Sequence, residues 1–238
     1  MSPDSSPTRA SLAEYTTTAR LIDTAGVLGF FGACGFHLWR LASLGPDALD
    51  FVTLAALLAG YLAADVFSGL VHWFFDTWLS ATTPILGSMF VRPFREHHVD
   101  ELAITRHDFV ETNGSNCLGS LPLLLMALAL DPASGGLAEG AVVFIVVLCL
   151  GIFATNQFHS WAHLTEPPAW IRLVQRSGLA LRPEHHAVHH RAPHVGHYCI
   201  TTGWMNAPLD GIGFFRGLER AITAATGVPP RLEDGAIG

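Results

Sequence analysis

Long apolar runs constrain this chain more than any other feature. Four stand out, at Thr24–Leu44, Asp50–Trp73, Cys117–Leu130 and Gly140–Phe158. A bilayer core of about 30 Å is crossed by about 20 helical residues, and the first, second and fourth runs reach that length. Cys117–Leu130 is short unless it borrows Asn113–Asn116 or lies where the bilayer is locally thin. The expected architecture is therefore an all-α integral membrane protein of about four transmembrane helices. A polar N-terminal segment, residues 1–20, is expected to precede a single membrane domain over residues 21–238. The apolar run after it lacks a convincing small-residue cleavage site, so it reads as a retained span rather than a signal peptide.

Charge sets the orientation and removes one class of partner. All 13 basic residues are arginine, the net charge is −7 and no basic block occurs, so nucleic acid is excluded as a partner. With four spans, Arg9 and Arg20, Arg92, Arg95 and Arg106, and every arginine from Arg172 onward fall on one side, while Asp131–Glu139 carries none. Arginine marks the cytoplasmic face. Both termini and the connection Leu79–Ser115 are accordingly expected in the cytoplasm, with Arg40 the exception, and an inner bacterial membrane is the expected location. Cys34, Cys117, Cys149 and Cys199 form no CxxC pair and read as small apolar groups rather than a disulfide framework. The segment PPAWIRLVQRSGL, from Pro167, has the apolar spacing of an interfacial or ordinary surface helix. The tail from Gly203 to Gly238 is expected to pack on the interface or fray.

The chain carries 13 histidines, and nearly all fall on the expected cytoplasmic side, where they would form a histidine-rich cap. His72 and Asp76 in GLVHWFFDTW are four apart, as are His159 and His163 in NQFHSWAH. PEHHAVHH adds His185 with His189 and His186 with His190, and FREHH and TRHDF supply His97, His98 and His107. One helical turn brings such pairs to a common face. Neutral imidazole suits iron, zinc and copper alike, so ligand type does not select the metal. Number is more informative. A structural zinc is complete with about four ligands, and ten clustered histidines exceed that, so two ions are expected. No span carries the Glu-x-x-His repeat of soluble di-iron bundles. His37 reads as a hydrogen-bonded interior group. Asp65 is costly in lipid and is expected to face a polar interior, the site, or a hydrogen bond between helices. His194 and His197 are each candidates for a support behind the ligands, an exposed group or a metal ligand.

Taken together, ADVFSGLVHWFFDTW, RPFREHH, ITRHDFVETNG, HSWAH, HHAVHH and YCITTGWMNAPLD resemble the lipid desaturase family that includes plasmanylethanolamine desaturases and the bacterial CarF-type proteins. The likeness runs from about Ala64 to Leu218, and His197 departs from the family pattern. The resemblance implies a di-iron, O2-dependent membrane enzyme that makes the vinyl ether bond of plasmalogens from 1-O-alkyl phospholipids. It implies metal binding by His72, His97, His98, His107, His159, His163, His185, His186, His189 and His190, with Asp76 a ligand or an acceptor that orients one. No GxGxxG fingerprint is present, so the two electrons are expected from a separate cytochrome b5 or ferredoxin-type carrier. Acyl-chain desaturation or hydroxylation is the nearest enzymatic alternative, and a non-catalytic metal-binding membrane regulator is the alternative from another class.

Overall fold

The computed structural model describes residues 15–45, 50–80, 82–84 and 91–231. Most of the expected polar segment 1–20 and the end of the tail lie outside the described residues. Nine α-helices occur among the described residues: α1 Thr17–Ala42, α2 Phe51–Thr77, α3 Arg92–Val99, α4 Phe109–Met126, α5 Gly136–Ala162, α6 Ala169–Ser177, α7 Pro183–His189, α8 Asn206–Gly211 and α9 Phe214–Thr226. Helix starts follow the side chains available as caps. Thr16, Asp50 and Asp108 each accept a backbone N–H of the first turn of α1, α2 and α4, satisfying donors that would otherwise be unpaired.

Among the described residues, α1, α2 and α5 are the three helices long and apolar enough to cross a membrane. α4 is not among them, because its first two turns, FVETNGSN, are polar. Those polar groups face α5: Asn113 Nδ2 donates to Gln157 Oε1 (3.3 Å), Asn116 Nδ2 to the Ile152 carbonyl (2.8 Å), and Asn156 Nδ2 to the Thr112 carbonyl (2.9 Å). A helix with apolar surroundings hides its polar side chains in this way. It also starts eight residues before the expected apolar run, since hydropathy alone does not register polar groups that pair across an interface.

Helix α5 is central, packing on α2 on one side and α4 on the other, while α1 packs mainly on α4. The α2–α5 seam is close because small residues line it. A Cβ on Gly60 would sit 2.7 Å from the Phe144 carbonyl, and one on Gly151 would strike Ala64. On the other side Phe30 and Cys34 of α1, Cys117 and Leu124 of α4, and Val142, Val146 and Cys149 of α5 form a continuous buried cluster. All four cysteines are free and buried, as a set of small apolar groups should be.

Helix direction decides what meets at which end. Arg20 pairs with Asp108 at 2.6 Å, placing the start of α1 beside the start of α4. Thr53 Oγ1 donates to Glu139 Oε1 (3.1 Å), joining the starts of α2 and α5 at the opposite end. The starts of α1 and α4 and the ends of α2 and α5 therefore share one end of the bundle. Arg40 belongs to the other end, where its guanidinium donates to the Ala127 and Leu130 carbonyls. A cation there satisfies carbonyls at the C-terminus of α4 and opposes its dipole, which accounts for an arginine on the wrong side of the charge pattern. His37 is next to it, fully buried, with Nε2 2.9 Å from the Leu124 carbonyl, the interior hydrogen bond expected of it.

Candidate metal centre

The shared end of the bundle gathers histidines from four elements. α2 brings His72 and Asp76 on successive turns near its end, and α5 brings His159, with His163 just beyond. α3 lies across this end and contributes His97 and His98, and α7 contributes His186 and His189, followed by His190. The donor atoms fall into two groups, each within 4.8 Å: His97, His159, His163, His186 and His190 in one, and His72, Asp76, His98 and His189 in the other.

In the first group the Nε2 atom of His159 lies 2.9 Å from that of His97 and 2.8 Å from that of His186, which lies 2.9 Å from that of His190. A ring nitrogen bearing hydrogen has no lone pair left to accept with, so this run does not resolve into a chain of hydrogen bonds. It is a set of lone pairs converging on one volume. His163, whose Nδ1 faces Glu101, has its Nε2 buried without a hydrogen-bond partner, a cost that a positive ion beside that nitrogen would offset. Burial, reinforced by neighbouring histidines, pushes the His97 and His186 imidazoles far below their usual range. The same causes lower His163 to about 4 and His190 to about 3. These rings are neutral at pH 7, the form that binds metal.

The second group adds a carboxylate. Asp76 Oδ2 lies 3.2 Å from His72 Nε2 and 3.3 Å from His189 Nε2, and His98 Nε2 is 3.1 Å from His189 Nε2. The far nitrogens of two rings meet backbone carbonyls: His72 Nδ1 is 3.2 Å from the Tyr198 oxygen and His189 Nδ1 is 3.0 Å from the Gly196 oxygen. A carbonyl only accepts, so both Nδ1 atoms carry the hydrogen and both Nε2 atoms present lone pairs to the group. Eight imidazoles and one carboxylate, in sets of five and four, are nitrogen and oxygen donors suited to two transition-metal ions.

The remaining candidates lie outside both groups. His107 Nε2 is 3.7 Å from Glu111 Oε1 on a half-exposed turn. His185 is exposed, its ring 6.4 Å from that of His197, whose Nδ1 is 3.1 Å from Asp210 Oδ2. The His194 ring stacks on that of His98 at 4.5 Å and 7°. Glu101 was not anticipated: its oxygens lie 3.3 Å from His190 Nδ1 and 3.8 Å from His163 Nδ1, behind the first group. Nothing in the local sequence marks it, because its partners come from α5 and α7. Asp65 faces neither lipid nor metal; it is fully buried and accepts backbone N–H groups from Thr202, Gly203 and Met205.

Residues 61–233 match the family model described as the lipid desaturase domain, which covers every donor in the two groups. The chain belongs to the lipid desaturase family. It is 48% identical over 223 residues to a plasmanylethanolamine desaturase of Myxococcus xanthus, covering 92% of this chain and 78% of the relative. It is 44% identical over 231 residues to plasmanylethanolamine desaturase 1 of Mus musculus, covering 95% of this chain and 85% of the relative. A chloroplastic fatty acid desaturase 4-like protein of Arabidopsis thaliana is 32% identical over 229 residues, covering 92% of this chain and 76% of the relative. No solved structure matches. A lipid desaturase acts on an unactivated hydrocarbon chain, and here two groups of residues that could hold metal ions stand at the end of an apolar bundle.

Proposed function

We propose that this member of the family is a plasmanylethanolamine desaturase. It introduces a double bond between C1 and C2 of the 1-O-alkyl chain of an ether phospholipid, giving the vinyl ether of a plasmalogen. The single observation that carries the reading is the pair of donor groups at the bundle end, in a chain similar over most of its length to two proteins of that name. One ion is assigned to His97, His159, His163, His186 and His190, the other to His72, Asp76, His98 and His189. A role for His107 and His185 rests on the resemblance alone. Bound as two irons, the metals supply the oxidising power that O2 gains on reduction, which acid–base chemistry cannot provide for an unactivated C–H bond. In balance, the alkyl chain loses one hydrogen from each of two carbons. With O2, two electrons from an external cytochrome b5 or ferredoxin-type carrier and two protons, it gives the alkene and two waters.

The protein's own residues hold the donors neutral and oriented, and bring the chain to them. α1 exposes Leu28, and α2 exposes Leu54, Leu58 and Phe67, among other large apolar side chains, a surface suited to lipid. α4 serves as a fourth, polar-lined span, so that α1, α2, α4 and α5 alternate in direction and both termini lie with the metal groups on the cytoplasmic side. This places the donors near the headgroup, where C1 and C2 of an ether-linked chain reside. Expression in a host lacking plasmalogens should produce acid-labile vinyl ethers detectable by mass spectrometry. The likeness to the plant relative named a fatty acid desaturase favours one other reading, acyl-chain desaturation. The same lipid extracts decide between them: new acid-stable double bonds without vinyl ethers would select the second.

A further inference from the structure

Asp65 is not in either donor group, yet α2 buries a carboxylate completely eleven residues from Asp76. Its three hydrogen bonds go to one short segment: Oδ1 accepts from Thr202 N–H (2.7 Å) and Gly203 N–H (3.0 Å), and Oδ2 from Met205 N–H (2.9 Å). The segment is fastened at three further points. One is Thr201, whose Oγ1 donates to the Ala64 carbonyl of α2 (3.4 Å) and lies 2.7 Å from Thr155 Oγ1 of α5. Ser68 Oγ, one turn along α2, accepts from the Ile200 N–H at 3.0 Å. Asn206 closes it on itself, its Oδ1 accepting from Cys199 N–H (2.7 Å) and its Nδ2 donating to the Cys199 carbonyl (2.9 Å). Gly69 lets this backbone lie against α2, because a Cβ there would meet Cys199 Sγ at 2.5 Å and Cys199 N at 3.2 Å. The same segment supplies the carbonyls of Gly196 and Tyr198 that accept from His189 Nδ1 and His72 Nδ1.

We propose that Asp65 is a positioning residue for the second metal. It clamps residues 196–206 to α2 so that two carbonyls of this strap fix the tautomer and direction of His72 and His189. A buried carboxylate bonded to three amides is costly to move and has one geometry, so the strap it holds is fixed relative to the helix that also carries His72 and Asp76. Among the described residues no imidazole of the first group bonds to the strap, and Glu101 lies behind two of them, 3.3 Å from His190 Nδ1 and 3.8 Å from His163 Nδ1. Loss of the clamp therefore acts on one ion and spares the other. Groups behind metal-ligating histidines are worth about 10- to 100-fold in metal affinity, and loosening both carbonyls should cost at least about 10-fold.

This rests on the two-metal reading above, and the test separates the two. Membranes containing wild type, Asp65→Leu, Asp65→Asn and Asn206→Ala are loaded anaerobically with ferrous iron, and iron per inserted chain is measured together with its affinity. Wild type should hold two ions; fewer would overturn the two-metal reading itself. Asp65→Leu should hold one ion at the original affinity and the other at least about 10-fold more weakly. Adding His72→Ala to it should remove nothing more at limiting iron, whereas adding His163→Ala should remove the ion that remains. Asp65→Asn and Asn206→Ala should weaken the same ion by a smaller factor, and they decide the matter if Asp65→Leu does not reach the membrane. Two ions held at wild-type affinity in the inserted variants, or equal weakening of both, would overturn the clamp while leaving the two-metal reading intact.

Discussion

Replacing His189 with alanine separates a ligand from a histidine that only fills space, provided His37→Ala is measured beside it. Both side chains are fully buried, so burial does not distinguish them. His189 Nε2 stands 3.3 Å from Asp76 Oδ2 and 3.1 Å from His98 Nε2, and alanine leaves that group with three donors of four. Losing a support behind a ligand costs up to about 100-fold in affinity, so losing the ligand should cost at least that, or about 2.8 kcal/mol at 1.4 kcal/mol per decade. The variant should hold about one iron per chain, and vinyl ether product should fall by at least about 100-fold, because the reaction draws on both ions. His37→Ala removes the hydrogen bond to the Leu124 carbonyl and the longer one, 3.4 Å, between Nδ1 and Arg40, and leaves the carbonyl buried, a cost of roughly 1–3 kcal/mol in stability. It lies about 30 Å along α1 from the metal end, at about 1.5 Å per residue. Product per inserted chain should stay near wild type while the thermal midpoint drops. The assay pairs plasmalogen content by mass spectrometry with the amount of protein extracted from membranes. Full product from His189→Ala, with loss of product from His37→Ala at equal protein levels, would refute the site assignment.

Other measurements probe different parts of the structure. The purified chain should carry about two irons, and anaerobic chelation should abolish product until ferrous iron is returned; a single tightly held zinc with no uptake of iron would contradict this. A tag placed after Gly238 should be accessible only from the cytoplasmic side, and labelling from outside would undo the four-span arrangement. Gly60→Val should be destabilising by about 1–3 kcal/mol through overpacking, because its Cβ would press on the Phe144 carbonyl; an unchanged melting temperature in detergent would show that the α2–α5 seam is looser. The metal-free chain should lose stability as pH falls from about 6.5 towards about 3: His163 and His190 titrate at about 4 and about 3 when folded. The unfolded chain, with histidines near 6.5, binds more protons over that window, so stability rises with pH there. An acid melting curve flat across that range would contradict the burial of these rings.

Local chemistry made three spans, the amphipathic segment after Pro167 and the histidine pairs legible in the sequence. Apolar runs and four-residue spacings are properties of contiguous chain, and helical geometry converts them directly into faces. His72 with Asp76, and His159 with His163, could be paired in this way before any fold was known. The start of α4 could not, because FVETNGSN is read as polar until Gln157 and Ile152 are seen opposite it. Nor could the division of donors. His186 and His189 are three residues apart, on one side of α7, yet belong to different groups, since only the packing of α3, α5 and α2 around α7 determines what each meets. Glu101 and Asp65 are carboxylates with no distinguishing context in the chain. Their partners lie 62 residues or more away for Glu101 and His163, and 137 or more for Asp65 and Thr202. The kind of chemistry was set by residue types that the sequence displays. Which atoms share an ion, and which hidden groups hold them in place, depended on distances that only tertiary packing creates.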